Sequence, residues 1–565
     1  MSADAQPPEP NLLDTPAAGP QAIRGGVLRG AGYTLALGLS VVSVPLLIRH
    51  LGVAAFGSYV LVTSLMTLIA GVTEGGLQAV TTREYTLREA HERDALMRNV
   101  IGLRVVLTLV GVVVAVAFAV LAGYDRTLVL GTVLAGGALV VQSLQTLFAV
   151  PLLARLRFGW ATAADLVRQA VLVSLTVTLI LAGASLLPFF AIALPSALAG
   201  VVLTVWLVRG MTPFVPAFHR AEWWPLARDT VPYAAAIAVN VAYFRLAIVL
   251  MSLLTTRLET GFFAAAFRIM EVLLPVPSVV IGAVFPILAR AARDDRQRLT
   301  YATGRILEVA VIAGSGLVLV LELAAPTIIS VLAGSDSEPS VAVLRLQAPA
   351  LLATFVAVAG GFSLLSLRRH RALLVANLAA LASSVLLCIV LIPPYGARGA
   401  AVATTVAEVA LAGVTFVVLI RALDTLRPSP RLIAVPALAV GIGVLLHLSH
   451  LPAPVQAIAG AVLYLAVLAA GGIVPPELRA AFSSWRSTRT IARYVGSRCM
   501  RRHTENSSRA AGLVCSPSGR VSLDRRRAVY RLWTSRNEPA DWCRSRRTCP
   551  SAPISSRAWA TTSPA

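Results

Sequence analysis

From about residue 28 to about residue 474 the chain is a succession of apolar runs separated by short polar breaks. Each run is around 20 residues long, enough for an α-helix to cross a hydrocarbon layer roughly 30 Å thick. Inside lipid, every backbone donor and acceptor must pair within its own segment, so repeated runs of this kind can fold only as a bundle of spanning helices. Composition agrees: 57% of the residues are hydrophobic and 13% charged, against about 25% charged in soluble domains. The expectation is an all-α integral membrane protein. Its fourteen candidate spans begin near residues 28, 57, 99, 127, 164, 188, 230, 260, 307, 341, 372, 399, 431 and 455.

The breaks between spans alternate in charge. One set holds Arg24 and Arg29; Arg83, Arg88, Arg93 and Arg98; Arg155 and Arg157; Arg209, Arg220 and Arg228; Arg290, Arg293, Arg296, Arg298 and Arg305; Arg368, Arg369 and Arg371; and Arg421, Arg427 and Arg431. The other holds only Arg49, Arg126, Arg257 and Arg398, a ratio of 22 to four. Short cytoplasmic loops retain basic residues, so the rich set is assigned to the cytoplasm, and both termini with it. A missed or invented span would invert every later loop and erase the asymmetry, which supports an even count. The net charge of +22 therefore speaks for topology and anionic lipid headgroups rather than for nucleic acid. All the basic residues are Arg, with no Lys; with so much Ala, Val and Leu, this indicates a GC-rich bacterial genome and the inner (plasma) membrane.

These breaks divide the chain. Residues 1–24 are Pro-rich, mildly acidic and expected to be a disordered cytoplasmic segment without signal-peptide pattern. Residues 25–208 form a first six-helix bundle, 209–229 a cytoplasmic linker with Trp223 and Trp224 at interface depth, 230–421 a second six-helix bundle, and 431–474 two added helices. The start of the second span, Gly57-Ser58-Tyr59-Val60-Leu61, aligns with Gly261-Phe262-Phe263-Ala264-Ala265 in the eighth, as in parallel repeats related by an axis along the membrane normal. Residues 482–565 change character: from Arg486 onward 17 Arg stand against four acids, with four of the five Cys and no apolar period. The region reads as a basic low-order tail, and its Trp and Cys have the composition of GC-rich DNA translated out of frame.

The stretch from Ile392 to Glu408 is the most distinctive. Pro393 and Pro394 are expected to stop a helix, and Gly396 and Gly399 to permit a tight turn. Gly399, Ala403 and Ala407 then make a small-residue stripe for close helix approach. The same stretch resembles the IP-x-YG-x-x-GAA-x-AT signature of the polysaccharide transporter family, the oligosaccharide flippases of the multidrug/oligosaccharidyl-lipid/polysaccharide superfamily. Gly52 to Tyr59 is similar to that family's first external loop, and Gly261 to Glu271 to its glycine-aromatic-small-Ala-aromatic-Arg-x-x-Glu segment. The resemblance, covering roughly residues 25 to 475, implies translocation of polyprenyl-pyrophosphate-linked oligosaccharide from the cytoplasmic to the outer face, by alternating access, for polysaccharide or lipopolysaccharide synthesis. Polysaccharide-assembly enzymes are implied as partners. Ala247 stands where many relatives would carry an aspartate.

No hydrolytic, transferase or metal-ligand spacing occurs, and no phosphate loop follows a strand, so neither an enzyme nor a cofactor is expected. The informative residues are charges inside spans, each costing about 2.5–3.5 kcal/mol at mid-depth unless it faces a cavity or a partner. Arg245, with polar neighbours Asn240 and Tyr243 and no acid one turn away, is the leading candidate for binding a pyrophosphate, since guanidinium forks match its oxygens. The competing reading is an interhelix ion pair. Arg268 and Glu271 lie three apart and can neutralise each other, while Arg104 is a second candidate contact. Glu408, Glu322, Glu74 and Glu271 are candidates for ion coupling. Arg168 and Arg345 read as snorkelling. Pro45, Pro232, Pro275 and Pro277 mark helices able to bend. The alternatives are a flippase of the peptidoglycan lipid precursor, against which the span Gly57 to Val80 carries no Arg, and a membrane-embedded polymerase or ligase, which would need a longer external loop.

Overall fold

The computed structural model describes residues 18–472 apart from residues 75, 219, 283, 335, 336, 424, 425, 427 and 428. The tail 482–565 with its four cysteines, residues 1–17, Arg427, and the side chains of Arg220, Trp224, Arg228 and Pro232 lie outside the described residues. Among the described residues every regular element is helical. The first half comprises α1 (Ala18–Leu51), α2 (Val53–Glu74), α3 (Leu77–Leu87), α4 (Ala90–Leu121), α5 (Arg126–Phe148), α6 (Val150–Ala154), α7 (Phe158–Leu181), α8 (Leu186–Ala191) and α9 (Ala193–Leu207). The second comprises α10 (Arg220–Leu254), α11 (Arg257–Leu273), α12 (Val276–Gly282), α13 (Phe285–Asp294), α14 (Arg296–Ala333), α15 (Pro339–Ser366) and α16 (His370–Ala422), followed by α17 (Arg431–His447) and α18 (Ala453–Ala470).

Eleven helical stretches are long and apolar enough to cross a membrane, and Ala238–Leu254 and Arg431–His447 are shorter apolar helices. Fourteen crossings are reached only by counting these two and by dividing α16, whose 53 residues break at Gly396. The chain is a multi-pass membrane protein. Two expected boundaries move: α1 starts at Ala18, inside the segment expected to lack structure, and α10 starts at Arg220, inside the expected linker. Pro20 sits in the first turn of α1, where its missing N–H costs nothing.

Each half packs largely on itself, α4 and α9 on α5 and α1 on α7 in the first, α14 and α16 on α15 in the second. The halves join through α2, which lies along both α10 and α11. The closest approach is between the two glycines that the internal repeat aligns. A Cβ on Gly57 would stand 2.8 Å from the Gly261 Cα, and one on Gly261 would stand 2.2 Å from the Val53 carbonyl oxygen. Only hydrogen fits at either position, so α2 and α11 cross backbone to backbone. By contrast α1 and α11 meet at few points. The added helices α17 and α18 pack on α14, held by Arg431 of α17 on Glu308 at 3.4 Å and by Tyr464 of α18 donating to the Ile312 carbonyl at 2.8 Å.

The signature turn differs from its expected form. Helical structure runs on through Pro393 and Pro394, and the break falls at Gly396, whose φ is 55° and ψ −131°. Two prolines near a helix end remove donors that the last turn can forgo, whereas a backbone at that ψ with positive φ is open almost only to glycine. A Cβ on Gly396 would also meet Glu259 Oε2 at 2.5 Å, the atom that accepts the Ala397 N–H at 2.8 Å. Gly399 is equally confined, its missing Cβ replaced by the Leu391 carbonyl 2.0 Å away. Ala403 and Ala407 are fully buried below it.

Candidate functional site

The Gly57–Gly261 crossing holds α2 and α11 backbone to backbone, and a cavity of about 450 Å³ lies in the second half. Its wall is drawn from α2 (Thr67), α10 (Asn240, Phe244, Arg245), α11 (Phe267, Glu271), α15 (Thr354, Gly361) and α16 (Asn377, Glu408, Thr415), with Pro275 and Ser278 at the break after α11. Pro275 has no N–H to continue the α11 ladder, and the chain restarts as α12 from Val276. Leu274, Pro275 and Ser278 around that break all line the cavity beside Glu271.

Arg245 carries a partner that its own helix does not supply. Its guanidinium is ion-paired to Glu271 of α11 and sits 5.9 Å from the centre of the Phe267 ring. The other carboxylate oxygen of Glu271 accepts from Arg268 at 2.6 Å, and Arg268 also donates to the Ser40 hydroxyl of α1 at 2.9 Å. Two guanidiniums thus share one carboxylate, and the triad has a net charge of +1. Both pairs are only partly buried, with side-chain exposures between 17% and 32%, so water and ligands still reach them.

The triad spans two spaces. Arg245 and Glu271 face the central cavity, while Arg268 lines a groove of about 480 Å³ between α1, α11 and α14. Apart from Arg268, Ser40 and Thr327 this groove is apolar, lined by Val44, Leu273, Leu321, Ile328 and Val331 among others, and Val331 on its flank is exposed. It exists because α1 and α11 hardly touch. A chamber with several polar groups on its wall and an almost wholly apolar groove therefore lie on the two sides of the triad.

The other expected residues separate. Asn240 lines the cavity and is exposed. Tyr243 is buried and faces a side void rather than the main chamber. Arg104 does not reach the cavity: it donates to the Thr73 carbonyl at 2.5 Å and stands 3.6 Å from Glu74, in the first half. Because α4 packs on the far end of α2, Glu74 is spent on that contact too. Glu322 stands 4.0 Å from Arg345 in a separate apolar groove of about 520 Å³ between α14, α15 and α17. Glu408 lines the central cavity, is 5% exposed, and accepts from Thr354 at 3.1 Å. Ala247 is buried. Thr354, Asn377 and Ser40 were not singled out by sequence, since a lone hydroxyl or amide in an apolar run carries no signal until the helices are assembled. Among the described residues no His, Cys, Asp and Glu group is arranged to hold a metal ion.

A family model described as polysaccharide biosynthesis protein matches residues 23–292. The match covers most of the first half of the chain and runs into α13. Among solved structures, it is similar to the lipid II flippase MurJ in an inward closed conformation, with a TM-score of 0.66 at 13% identity over 79% of this chain and all of that one. It is also similar to an inward-facing multidrug resistance MATE transporter, at 0.53 and 15% over 72% and 99% of the two chains. A third likeness is to a superfamily transporter from Pyrococcus furiosus, at 0.51 and 14% over 72% and 96%. At these identities the likeness is one of fold. No curated protein matches the sequence closely enough to count as a relative.

Proposed function

We propose that this protein flips a polyprenyl-pyrophosphate-linked oligosaccharide from the cytoplasmic to the outer face of the bacterial inner membrane. One observation carries the reading: the Arg245–Glu271–Arg268 triad stands between a chamber with Asn240, Thr354, Asn377 and Glu408 on its wall and an almost wholly apolar groove. An amphiphile of matching design has a sugar head for the chamber, a prenyl chain for the groove and a diphosphate at the junction. Guanidinium is suited to phosphate oxygens because its donors form a planar fork. The family's description, polysaccharide biosynthesis, favours an oligosaccharide over the peptidoglycan precursor.

The geometry supports the following transport cycle. On this reading the Gly57–Gly261 crossing is the closed gate, and the chamber is loaded from the opposite end, which the arginine-rich loops assign to the cytoplasm. The head group enters with its diphosphate on Arg245 and Arg268 and displaces Glu271. Parting α2 from α11 would open the opposite end while the prenyl chain stays in lipid. In proteoliposomes, Arg245→Ala is expected to abolish flipping of a prenyl-diphosphate sugar. Unchanged flipping by folded variant protein would remove Arg245 from the site.

A further inference from the structure

A cleft of about 330 Å³ shares no residue with the central cavity or with the two apolar grooves. It is bounded by α2, the α4–α5 turn and α5 from the first half, and by α10, the α10–α11 turn and α11 from the second. Six of its wall residues carry a hydroxyl: Ser58, Tyr124, Ser252, Thr255, Thr256 and Thr260. Ser58 directly follows Gly57 and Thr260 directly precedes Gly261, so the cleft adjoins the crossing of α2 and α11. Both turns belong to the arginine-poor set, with Arg126 and Arg257, that the charge pattern assigns to the outer face.

The wall selects a type of ligand. Arg257 is its charged residue, and Asp125 stands 3.3 Å from the guanidinium. As a unit the pair is neutral: the arginine repels a cation, and the aspartate offsets its pull on an anion. Several hydroxyl protons are already placed. Ser58 donates to the Ala54 carbonyl at 3.3 Å, Ser252 to that of Val249 at 2.7 Å and Thr260 to that of Thr256 at 2.9 Å. With the Ser252 proton so used, the Tyr124 hydroxyl 2.6 Å away is the donor of their contact. These oxygens keep lone pairs and have no proton left to give, while Arg257 adds N–H donors. The complementary ligand is neutral and rich in O–H groups, which donate to the wall and accept from Arg257. A sugar ring has this chemistry, and the volume lies at the lower end of the about 300–1,000 Å³ of small-molecule pockets.

We propose that this cleft binds a saccharide unit at the outer face and that the bound sugar ties the two halves together. Ser58 and Tyr124 belong to the first half, and Ser252, Arg257 and Thr260 to the second. The Tyr124–Ser252 and Asp125–Arg257 contacts already join the halves here, and a sugar seated beside them adds bonds of the same kind. Parting α2 from α11 pulls these groups apart, so an occupied cleft holds the crossing closed. In a consequence that rests on the transport reading above, glycan delivered to the outer face slows the next opening, a product-side brake that answers to the sugar and not to the prenyl chain.

Sugar binding is measured with no lipid-linked substrate, so its failure leaves the transport reading standing, and a failure of flipping leaves the cleft standing. The purified full chain, in a detergent without a sugar head group, is titrated with glucose, cellobiose, N-acetylglucosamine and the β-linked N-acetylglucosamine dimer while its thermal unfolding midpoint is followed, since a ligand of the folded state raises it with concentration. Sorbitol at equal concentration reports the general effect of polyols on stability. At least one sugar is expected to give a saturable rise beyond that of sorbitol. Tyr124→Phe, from the first half, should weaken its apparent affinity about fivefold, and Arg257→Gln, from the second, about tenfold or more, because its hydrogen bonds are charged. Arg257 is exposed, so its replacement leaves packing intact. A wild type that responds to no sugar beyond sorbitol overturns the proposal, as does a response unchanged in both variants, or a saturable response to sodium phosphate or tetramethylammonium chloride in place of sugar. Loss in one variant alone overturns the tie between the halves.

Discussion

Glu271 is the residue on which the candidate site turns. It pairs with two guanidiniums at once, and any anionic ligand must replace it there. Replacing it by Gln keeps the shape and removes the charge, so Arg245 and Arg268 would repel each other and bind external anions more strongly. Glu271→Gln is expected to lower stability by about 1.5–3 kcal/mol, the range for hydrogen bonds to charged groups, and to raise affinity for a soluble prenyl diphosphate measured by calorimetry. A weaker affinity would mean that Glu271 orients the arginines rather than competing for them. At this scale the sequence was half legible. The Arg268–Glu271 pair follows from a three-residue spacing on one helix, and it is present. The partner of Arg245 lies 26 residues away on another helix, where helical periodicity has no reach. Arg104 shows the same limit, since depth in a span says nothing about which neighbour faces it.

Helices carry the next level of information, and there glycine proved more telling than proline. Pro393 and Pro394 are tolerated inside α16, and the break sits at Gly396, where a side chain would strain the backbone and strike Glu259. The family-like turn thus has a physical purpose: it lets the N-terminus of the following segment receive a carboxylate from α11. The aligned Gly57 and Gly261 were readable as a repeat, but not as a contact, because a repeat states equivalence and not adjacency. Their crossing yields a prediction. Gly57→Val inserts atoms where the Gly261 backbone already stands, so α2 and α11 cannot close and the chamber should shift toward the opposite opening. With Asn240→Cys as reporter, labelling by a membrane-impermeant thiol reagent added from the cytoplasmic side is expected to drop relative to the same reporter with Gly57 intact. Equal labelling would mean that this crossing does not control access.

For the molecule as a whole, apolar runs identified a helical membrane protein before any helix was drawn, because lipid leaves the backbone few other solutions. What no run reveals is how the helices are spaced, and the apolar groove is formed by α1, α11 and α14, elements far apart in the chain. Its origin is an asymmetry: α2 lies along α10, while the related pair α1 and α11 stays apart. If a prenyl chain occupies that gap, filling it should harm the lipid-linked substrate and spare its soluble head. Val331 is suited to the purpose, since it lines the groove from α14 and is 59% exposed, so enlarging it does not disturb packing. Val331→Trp is expected to slow flipping of a prenyl-diphosphate sugar about tenfold or more, the factor corresponding to about 1.4 kcal/mol. Binding of a short sugar diphosphate, whose contacts lie at Arg245 and Arg268, should be unchanged. Equal loss of both would place the effect in the fold rather than the groove, and no loss of either would mean that the lipid chain leaves the chamber by another side.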